Sequence, residues 1–381
     1  MFNFKREDTS LAAKWWRNID KQILSSIIFL LLLGLFFSFV STSQLIGETL
    51  NKETYFFFIK HFFFVLISII LLLAISIQSR DTIKKFIVPL FIISFIFLIM
   101  VPFIGVEVKG SKRWLDLIFL PKFQPVEIIK PIFVILIAKI VVLEKNLNQY
   151  YKYLLSLLVL LPILFLLVNQ PDIGQTFLIF FSWIAMIFAS GINLIVLGGI
   201  GVLSFGIIGL VIYFFPSKFG YIFSRIASFF DPAKGDNYQS QKALDAIQQG
   251  GLTGQGMGEG VLKDRVPEAH TDYIIAVISE EFGILFVLFV VFLFLYIAYR
   301  VFNKIFTEKE EFIKLSLVGL TVLLIFQTFI HIGVNVRLLP TTGMTLPFLS
   351  HGGSSIIGSS IVAGVILNFT RNTPKGFADH E

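Results

Sequence analysis

The chain has 381 residues, of which 56% are hydrophobic and 15% are charged, and its formal net charge is +6. This composition is too apolar for an ordinary soluble domain, in which apolar residues form about half of the chain and recur in short runs. The sequence contains no cysteine, which excludes disulfides and thiolate chemistry. Apolar runs as long as a bilayer-spanning helix, roughly 20 residues, recur along the chain. The composition therefore predicts an all-α polytopic membrane protein.

The apolar runs predict about ten transmembrane helices in one integral membrane domain, residues 1–381. The N-terminal segment is too long and too polar for a signal peptide, and no small-residue cleavage site follows the first run, so we expect the first span to be retained. In chain order the predicted spans are Ile23–Val40, Tyr55–Ile77, Phe86–Ile104, Ile128–Leu143, Leu154–Val168, Thr176–Ala189, Leu194–Phe215, Tyr273–Val301, Phe312–Val334 and Ile356–Phe369.

Basic residues are concentrated in segment 1–22 and in the loops after the second, fourth and eighth predicted spans. The positive-inside rule therefore predicts that segments 1–22 and 371–381 both lie in the cytoplasm, since an even number of spans returns the chain to its starting side. Residues 216–272, between spans seven and eight, are then the one long extracytoplasmic loop. Within it, Tyr238–Gln249 is predicted to form a short amphipathic helix.

The segments predicted to lie outside also carry many basic residues. They are Lys109, Lys112, Arg113, Lys122, Lys218, Arg225, Lys234, Lys242, Lys263 and Arg265. Long translocated loops are partly exempt from the charge bias, so these cations are compatible with ordinary membrane anchoring. They also suggest that an anionic substrate is handled on the outer face, and the composition leaves both interpretations open.

The first polar cluster combines the motifs GSKRW and QPVEIIKP around the start of the fourth span. It contains Arg113, Trp114, Gln124, Glu127 and Lys130. Glu127 and Lys130 are three residues apart, so they share a helix face and can pair. A charge at the centre of a membrane costs about 2.5–3.5 kcal/mol. The pair is therefore either a structural ion pair that fixes the top of the helix or part of a functional site.

The second cluster is NQPDIGQ, between the fifth and sixth spans. Pro171 ends the preceding helix, and Gly174 permits a tight turn. Asp172 can cap the next helix by accepting hydrogen bonds from its first backbone N–H groups. The alternative is a site carboxylate that orients a lysine or another cation.

The third cluster is the glycine-rich stretch from Gly250 to Gly260, followed by His270, Thr271 and Asp272. The glycines provide turns and close backbone approach, and the stretch is no P-loop because no GKS or GKT follows. Asp272 is either the N-cap of the next span or a site carboxylate at the membrane surface. Glu280 and Glu281 fall inside that span, so at least one of them is expected to find a partner on another element.

The fourth cluster runs from Asn335 to Ser360 and includes two prolines, His351 and Ser354. The small residues of the last span favour close helix packing. The sequence places no general base beside the serines. The histidines are not at metal-ligand spacing, and no nucleic-acid-binding signature is present.

Seven motifs in the same order resemble the SEDS family of bacterial membrane glycosyltransferases (shape, elongation, division and sporulation), over nearly the whole chain. They are GSKRW, QPVEIIKP, QPDIG, DPAKGDNYQSQKALDAI, GQGMGEGVLK, PEAHTD and LLPTTGMTLPFLSHGGSS. Two of them, LPTTGMTLPF and GEGVLK, resemble the division-associated FtsW branch more than the elongation-associated RodA branch. The chain departs from the family pattern at Val126, where serine is common, and at His351, where tyrosine is common.

The resemblance implies polymerisation of lipid II into glycan strands at the outer face of the bacterial cytoplasmic membrane. The last aspartate of the family's HTD motif corresponds to Asp272, which we expect to act as general base. The expected substrate-binding residues are Arg113, Trp114, Gln124, Glu127, Lys130, Asp172, Lys263, His270, Thr271 and Ser354. Among these, Arg113, Lys130 and Lys263 are the expected pyrophosphate contacts.

The resemblance also implies a class B penicillin-binding protein, a transpeptidase, as partner, together with other membrane proteins of the division machinery. No protein metal motif is expected, although a divalent cation such as Mg²⁺ can bridge a pyrophosphate. The alternatives are a lipid II flippase, the elongation paralogue of the same polymerase, and a non-catalytic scaffold for division proteins.

Overall fold

The computed structural model describes residues 8, 10–41, 55–108, 110–117, 121–143, 147–214, 216–230 and 238–372. Within these ranges the chain forms thirteen α-helices and one two-stranded antiparallel sheet. The helices are α1 Leu11–Asn18, α2 Lys21–Ser41, α3 Phe56–Ile77, α4 Arg80–Ile104, α5 Pro125–Val141, α6 Gln149–Asn169, α7 Ile173–Ala189, α8 Leu194–Phe214, α9 Pro216–Phe230, α10 Tyr238–Gly250, α11 Ile274–Thr307, α12 Glu311–Asn335 and α13 Gly353–Thr370. The strands are β1 Val106–Val108 and β2 Ser111–Trp114.

Every predicted span overlaps a helix, so the predicted all-α membrane fold is confirmed. Seven helices in the described ranges, α2, α3, α4, α6, α11, α12 and α13, are long and apolar enough to cross a membrane. The other three predicted spans correspond to α5, α7 and α8; α5 and α7 have only 17 residues each. The total of about ten crossings stays a prediction.

The predicted long loop, residues 216–272, is largely helical in its described parts. The amphipathic helix predicted at Tyr238–Gln249 is confirmed as α10. Helix α9 was not predicted, although Phe219, Ile222 and Ile226 recur at helical spacing. The remainder is the glycine-rich stretch and a short 3₁₀-helix, Lys263–Arg265.

Helix α5 lies at the centre of the bundle and packs against α4, α6, α7, α12 and α13. All of its residues are buried except Ile128 and Lys139. A Cβ on Gly358 of α13 would lie 2.5 Å from the backbone oxygen of Glu127. The missing side chain therefore lets α13 approach α5 closely, which confirms the packing interpretation of the small residues in the last span.

Both ends of the described chain lie at one end of the bundle. The backbone N–H of Asn372 donates to the carbonyl of Asn18 at 3.0 Å. Ion pairs at this end join Arg300 to Asp20 at 2.6 Å and Arg80 to Glu308 at 3.6 Å. Residues 1–7 and 373–381 of the two segments predicted to be cytoplasmic lie outside the described residues, as do Lys109 and Lys234.

The polar clusters found in the sequence lie at the opposite end of the bundle, which we call the site end. It contains the β1–β2 hairpin, the α6–α7 turn, α9, α10, the glycine-rich stretch and the loop between α12 and α13. The segments predicted to be cytoplasmic and those predicted to be extracytoplasmic thus lie at opposite ends of the bundle. Which end faces the cytoplasm stays a prediction.

Candidate active site

Asp272 lies just before α11, whose N-cap residue is Tyr273, so Asp272 is not the N-cap considered from the sequence. The residues before it form a turn, in which the backbone N–H of Asp272 donates to the carbonyl of Glu268 at 3.0 Å. Asn335 of α12 fixes this turn, since its side-chain amide donates to the carbonyl of Asp272 at 3.0 Å. The side chain of Asp272 is half-buried.

The carboxylate of Asp272 and the guanidinium of Arg113 face the same point. A Cβ on Gly343 would lie 3.5 Å from Oδ2 of Asp272 and 4.0 Å from Nη1 of Arg113. Gly343 has a φ of +65°, a left-handed conformation that favours glycine. The loop between α12 and α13 therefore brings a backbone position without a side chain against a carboxylate and a guanidinium that are far apart in sequence.

Arg113, on β2, is held by the α6–α7 turn. Its Nε donates to the carbonyl of Gln170 at 3.1 Å, and Nη2 donates to the carbonyl of Pro171. The same Nε lies 3.9 Å from Oδ2 of Asp172. Trp114, the last residue of β2, is half-buried and pairs with Val106 across the hairpin. The hairpin thus delivers one fixed cation to the site end.

Asp172 fits both interpretations made from the sequence. It is the N-cap of α7, since its Oδ1 accepts from the backbone N–H of Gln175 at 3.4 Å. Its Oδ2 also accepts from the side-chain amide of Gln124 at 2.9 Å. Burial raises the pKa of this carboxyl group, and the neighbouring Arg113 opposes that rise.

Glu127 and Lys130 form the predicted ion pair, with Oε2 and Nζ 2.8 Å apart and both side chains almost fully buried. Two glutamines complete the pair. Gln175 donates to Oε1 of Glu127 at 2.6 Å, and Lys130 donates to Oε1 of Gln327 at 3.0 Å. Gln327 in turn donates to the carbonyl of Thr345 at 3.0 Å. The ion pair is therefore part of a buried network that reaches the loop beside Asp272.

Sequence reasoning missed Gln175 and Gln327 as members of this network. Gln175 lies in the QPDIGQ segment, three residues after Asp172, and that position was the only available signal. Gln327 lies within an apolar span and carries no motif. A buried polar side chain needs a partner, but its identity becomes visible only when the helices are packed.

The glycine-rich stretch is fastened to α11 by Glu280 and Glu281, both fully buried. Glu280 accepts from the backbone N–H groups of Leu262 at 2.7 Å and of Lys263 at 2.6 Å. Glu281 accepts from the backbone N–H of Gly258 and from the ammonium of Lys263. The expectation that at least one of these glutamates finds a partner is confirmed for both.

These contacts give Lys263 a structural role. Its side chain is 6% exposed and its ammonium is paired with Glu281, which compensates a buried carboxylate. A pyrophosphate contact would have to compete with that pairing. The substrate-binding role predicted for Lys263 stays a prediction, and the structure favours the structural one.

We expect Gly254→Ala to destabilise the protein more than Gly258→Ala. Both glycines have a positive φ, +82° and +85°, so each substitution carries backbone strain of about 1 kcal/mol. A Cβ on Gly254 would also lie 2.2 Å from the carbonyl oxygen of Glu281, whereas nothing lies within 4 Å of one on Gly258. The thermal unfolding midpoint of the purified protein measures the difference. Equal midpoints would show that the stretch is not packed tightly against α11.

His270 and Thr271 connect the glycine-rich stretch to the loop between α12 and α13. The backbone N–H of His351 donates to the carbonyl of His270 at 2.9 Å, and the hydroxyl of Ser350 donates to the carbonyl of Thr271 at 2.7 Å. The ring of His351 lies 5.8 Å from that of His270 and 5.1 Å from that of His61. Burial, assisted by the two other histidines, lowers the pKa of His351 to about 3.

Ser354 is buried in the first turn of α13. The neighbouring Ser355 shares a hydrogen bond with the hydroxyl of Thr345, in the loop that lies beside Asp272. The structure thus brings Arg113, Asp172, Gln124 and the region of Asp272 together. It places Ser354 on the helix that supports this loop.

The sequence has close relatives in several bacteria. Residues 21–375 match the family described as cell cycle protein, which covers FtsW, RodA and SpoVE. A probable peptidoglycan glycosyltransferase FtsW of Caulobacter vibrioides is 31% identical over 98% of this chain and 95% of the relative. The proteins of the same name from Nitrosomonas europaea and Francisella salina are 34% and 33% identical, and cover 92% and 90% of this chain.

Two solved structures share the fold. A chain from a study of polymerization and crosslinking by a peptidoglycan synthase complex superposes with a TM-score of 0.75 at 24% identity, over 92% of this chain and 97% of that one. The rod shape determining protein RodA of Thermus thermophilus gives a TM-score of 0.68 at 22% identity, over 93% and 97%.

The helix bundle, with the motif residues Arg113, Asp172 and Asp272 at one end, defines a polytopic membrane protein with a polar site at that end. The chain belongs to the FtsW, RodA and SpoVE cell cycle protein family, as its match over residues 21–375 shows. The family resemblance predicted from the seven motifs is therefore confirmed. The relatives named above carry the FtsW name, in agreement with the branch that LPTTGMTLPF and GEGVLK indicate.

Proposed function

We propose that this protein is the peptidoglycan glycosyltransferase of cell division, and that it polymerises lipid II into glycan strands at the outer face of the cytoplasmic membrane. The enzyme class agrees with the names of relatives that are 31–34% identical over at least 90% of this chain. The observation that carries the proposal is the half-buried carboxylate of Asp272, which faces the fixed guanidinium of Arg113 across Gly343.

In this mechanism a sugar hydroxyl of one substrate attacks the anomeric carbon of another, and the bond to the lipid pyrophosphate breaks. Asp272 accepts the proton of the attacking hydroxyl, and general-base catalysis of this kind contributes about 10²–10⁴-fold. Arg113 stabilises the negative charge that develops on the leaving pyrophosphate, because its planar guanidinium can bind two phosphate oxygens at once. Its hydrogen bonds to Gln170 and Pro171 hold it in position before the substrate arrives.

In this mechanism Lys130 and Glu127 do not contact the substrate but orient residues that do. Lys130 is 3% exposed and bonded to both Glu127 and Gln327, so it lies behind the surface that a substrate can reach. The positive charge of Lys130 still lowers the pKa of Asp172, and the negative charge of Glu127 raises it. We assign the pair to orientation of the loop around Thr345 and of the Asp172 carboxylate.

The divalent cation considered from the sequence has no binding site built by the described residues. Within those ranges, no group of three or more histidine, cysteine or acidic side chains is arranged to hold a metal ion. The cation that would bridge the substrate pyrophosphate stays an expectation, and the mechanism assigns it no step.

The cytoplasmic placement of both termini and the outward orientation of Asp272 belong to this proposal. They are supported by the ion pairs of Arg80 and Arg300 at the end opposite Asp272, since basic residues favour the cytoplasmic side. The class B penicillin-binding protein and other division proteins are the proposed partners. The fold shared with a chain of a synthase complex that polymerises and crosslinks supports a transpeptidase partner.

The flippase alternative has weaker support. A flippase needs a polar path that opens at both faces. The buried carboxylates of Glu281 and Glu127 are instead paired with Lys263 and Lys130, so they do not line such a path. Transport of lipid II across liposomes by the purified protein, without polymer and dependent on Asp272, would favour this alternative over the polymerase.

We expect Arg113→Gln to lower kcat/KM for lipid II by about tenfold, because the variant loses one charge-assisted hydrogen bond to the charge that develops on the pyrophosphate. Lys112→Gln is the matched control, because Lys112 is the neighbouring cation on the same strand and its side chain is exposed. Rates measured over a range of lipid II concentrations decide the outcome. Identical curves for the two variants would contradict the role of Arg113.

A further inference from the structure

A polar cavity of about 260 Å³ opens at the site end, apart from Asp272. It lies between α9, α10 and the loop that follows α12. Its polar lining residues are Ser224, Arg225, Ser228, Ser240, Arg337 and Thr341. Two arginines and four hydroxyl-bearing residues thus line one space, and among the described residues no acidic side chain lines it.

The two arginines stand on opposite walls of this cavity. On α9, Arg225 donates to the carbonyl of Thr341 at 3.4 Å, and the planar guanidinium carries five N–H donors in all. Burial, and to a smaller extent the nearby Arg113, lower the pKa of Arg225, and Asp172 opposes that change. On the loop wall, Arg337 donates to the side chain of Gln241 on α10. The backbone of Arg337 has a φ of +57°, a left-handed conformation that residues other than glycine rarely adopt.

The cavity and the catalytic residues share one segment of chain. Arg337 and Thr341 form a wall of the cavity, and two residues after Thr341 the same loop reaches Gly343, beside Asp272 and Arg113. A molecule held in the cavity would therefore contact the same loop that lies beside Asp272. A pair of guanidinium groups matches carboxylate and phosphate oxygens better than it matches neutral sugar or lipid.

We propose that this cavity binds an anionic oxygen group of the lipid-linked saccharide while its sugar lies at Asp272. The proposal rests on the proposed function, because that function supplies the substrate. Two parts of the substrate carry such a group, the carboxylates of its peptide and the pyrophosphate of its lipid anchor. Either one would fix the orientation of the saccharide relative to the carboxylate of Asp272.

The test measures binding without turnover, using the full-length Asp272→Asn protein in detergent. Calorimetric titration gives the Kd for three probes: a soluble disaccharide-peptide with free carboxylates, the same compound with its carboxylates amidated, and inorganic pyrophosphate. Adding Arg337→Gln should raise the Kd of the anion that occupies the cavity about tenfold or more, since a hydrogen bond to a charged group contributes at least that much. The amidated compound should bind both proteins equally.

A loss confined to the free-carboxylate compound assigns the cavity to the peptide, and a loss confined to pyrophosphate assigns it to the lipid anchor. Arg225→Gln, on the opposite wall, must reproduce the loss, which guards against a local folding defect at Arg337. Arg265→Gln is the control, since Arg265 is exposed at the same end and does not line the cavity, and its Kd values should not change. Unchanged Kd values in both cavity variants, or a loss in only one of them, overturn the proposal.

The binding result can be distinguished from the outcome of the polymerisation assay, because no polymer has to form in the titration. If wild-type protein made no polymer from lipid II, the proposed function would fail. The cavity would then be judged on the binding data alone.

Discussion

Asp272→Asn is expected to reduce polymerisation of lipid II by about 10²–10⁴-fold, the contribution of a positioned general base. The amide has the size of the carboxylate but cannot accept the proton of the attacking hydroxyl. The turn that carries Asp272 is held through its backbone, by Glu268 and by Asn335, so the substitution should leave the fold intact. Glycan polymer formed from labelled lipid II by the purified protein with its partner is the measurement.

The matched control is Asp116→Asn at the same end of the bundle. Asp116 is an exposed aspartate, paired with Lys122 at 3.2 Å, and exposed pairs contribute little. Its variant should polymerise at the wild-type rate, and both variants should unfold at the wild-type temperature. Wild-type polymer from Asp272→Asn would remove this carboxylate from the mechanism.

Lys130→Met is expected to lower the free energy of unfolding by about 3–5 kcal/mol, because it leaves the buried carboxylate of Glu127 without its charge partner. Gln175 continues to donate one hydrogen bond to that carboxylate, but an amide does not compensate its charge. The substitution should also disturb the loop beside Asp272, since Lys130 is connected through Gln327 to the carbonyl of Thr345. Unfolding of the purified protein in denaturant measures the change.

Two further variants separate charge from packing. Glu127→Gln combined with Lys130→Met removes both charges, so most of the lost stability should return. Lys314→Met removes the cation of the exposed pair with Glu311, which has the same three-residue spacing, and should cost less than about 1 kcal/mol. If Lys130→Met were no more destabilising than Lys314→Met, the buried network would have no structural role.

Much of the site was predictable because its residues occur in compact motifs. The pairing of Glu127 with Lys130 followed from their spacing on one helix face, and the structure confirms it. The capping role of Asp172 was one of two stated alternatives, and the structure supports it together with a bond from Gln124. The cap considered for Asp272 was wrong by one residue, since α11 takes Tyr273 as its N-cap.

Other features depended on which surfaces meet. Lys263 was predicted to face the substrate, but α11 brings Glu281 to its ammonium, 18 residues further along the chain. Gln327, 197 residues from Lys130, carried no sequence signal at all. Nothing in the sequence singled out Gly343, whose position beside both Asp272 and Arg113 is visible only in the folded structure.

The amino-acid sequence was enough to predict the class of the protein, its succession of apolar helices and the separation of its basic and polar segments. A bilayer imposes these properties on each segment independently, because every apolar run must satisfy its own backbone and length requirements. The partners of the buried charges, and the cavity beside the loop between α12 and α13, became visible in the folded structure. Such contacts depend on how distant helices pack, and that packing satisfies each buried polar group with a donor or acceptor that local sequence does not specify.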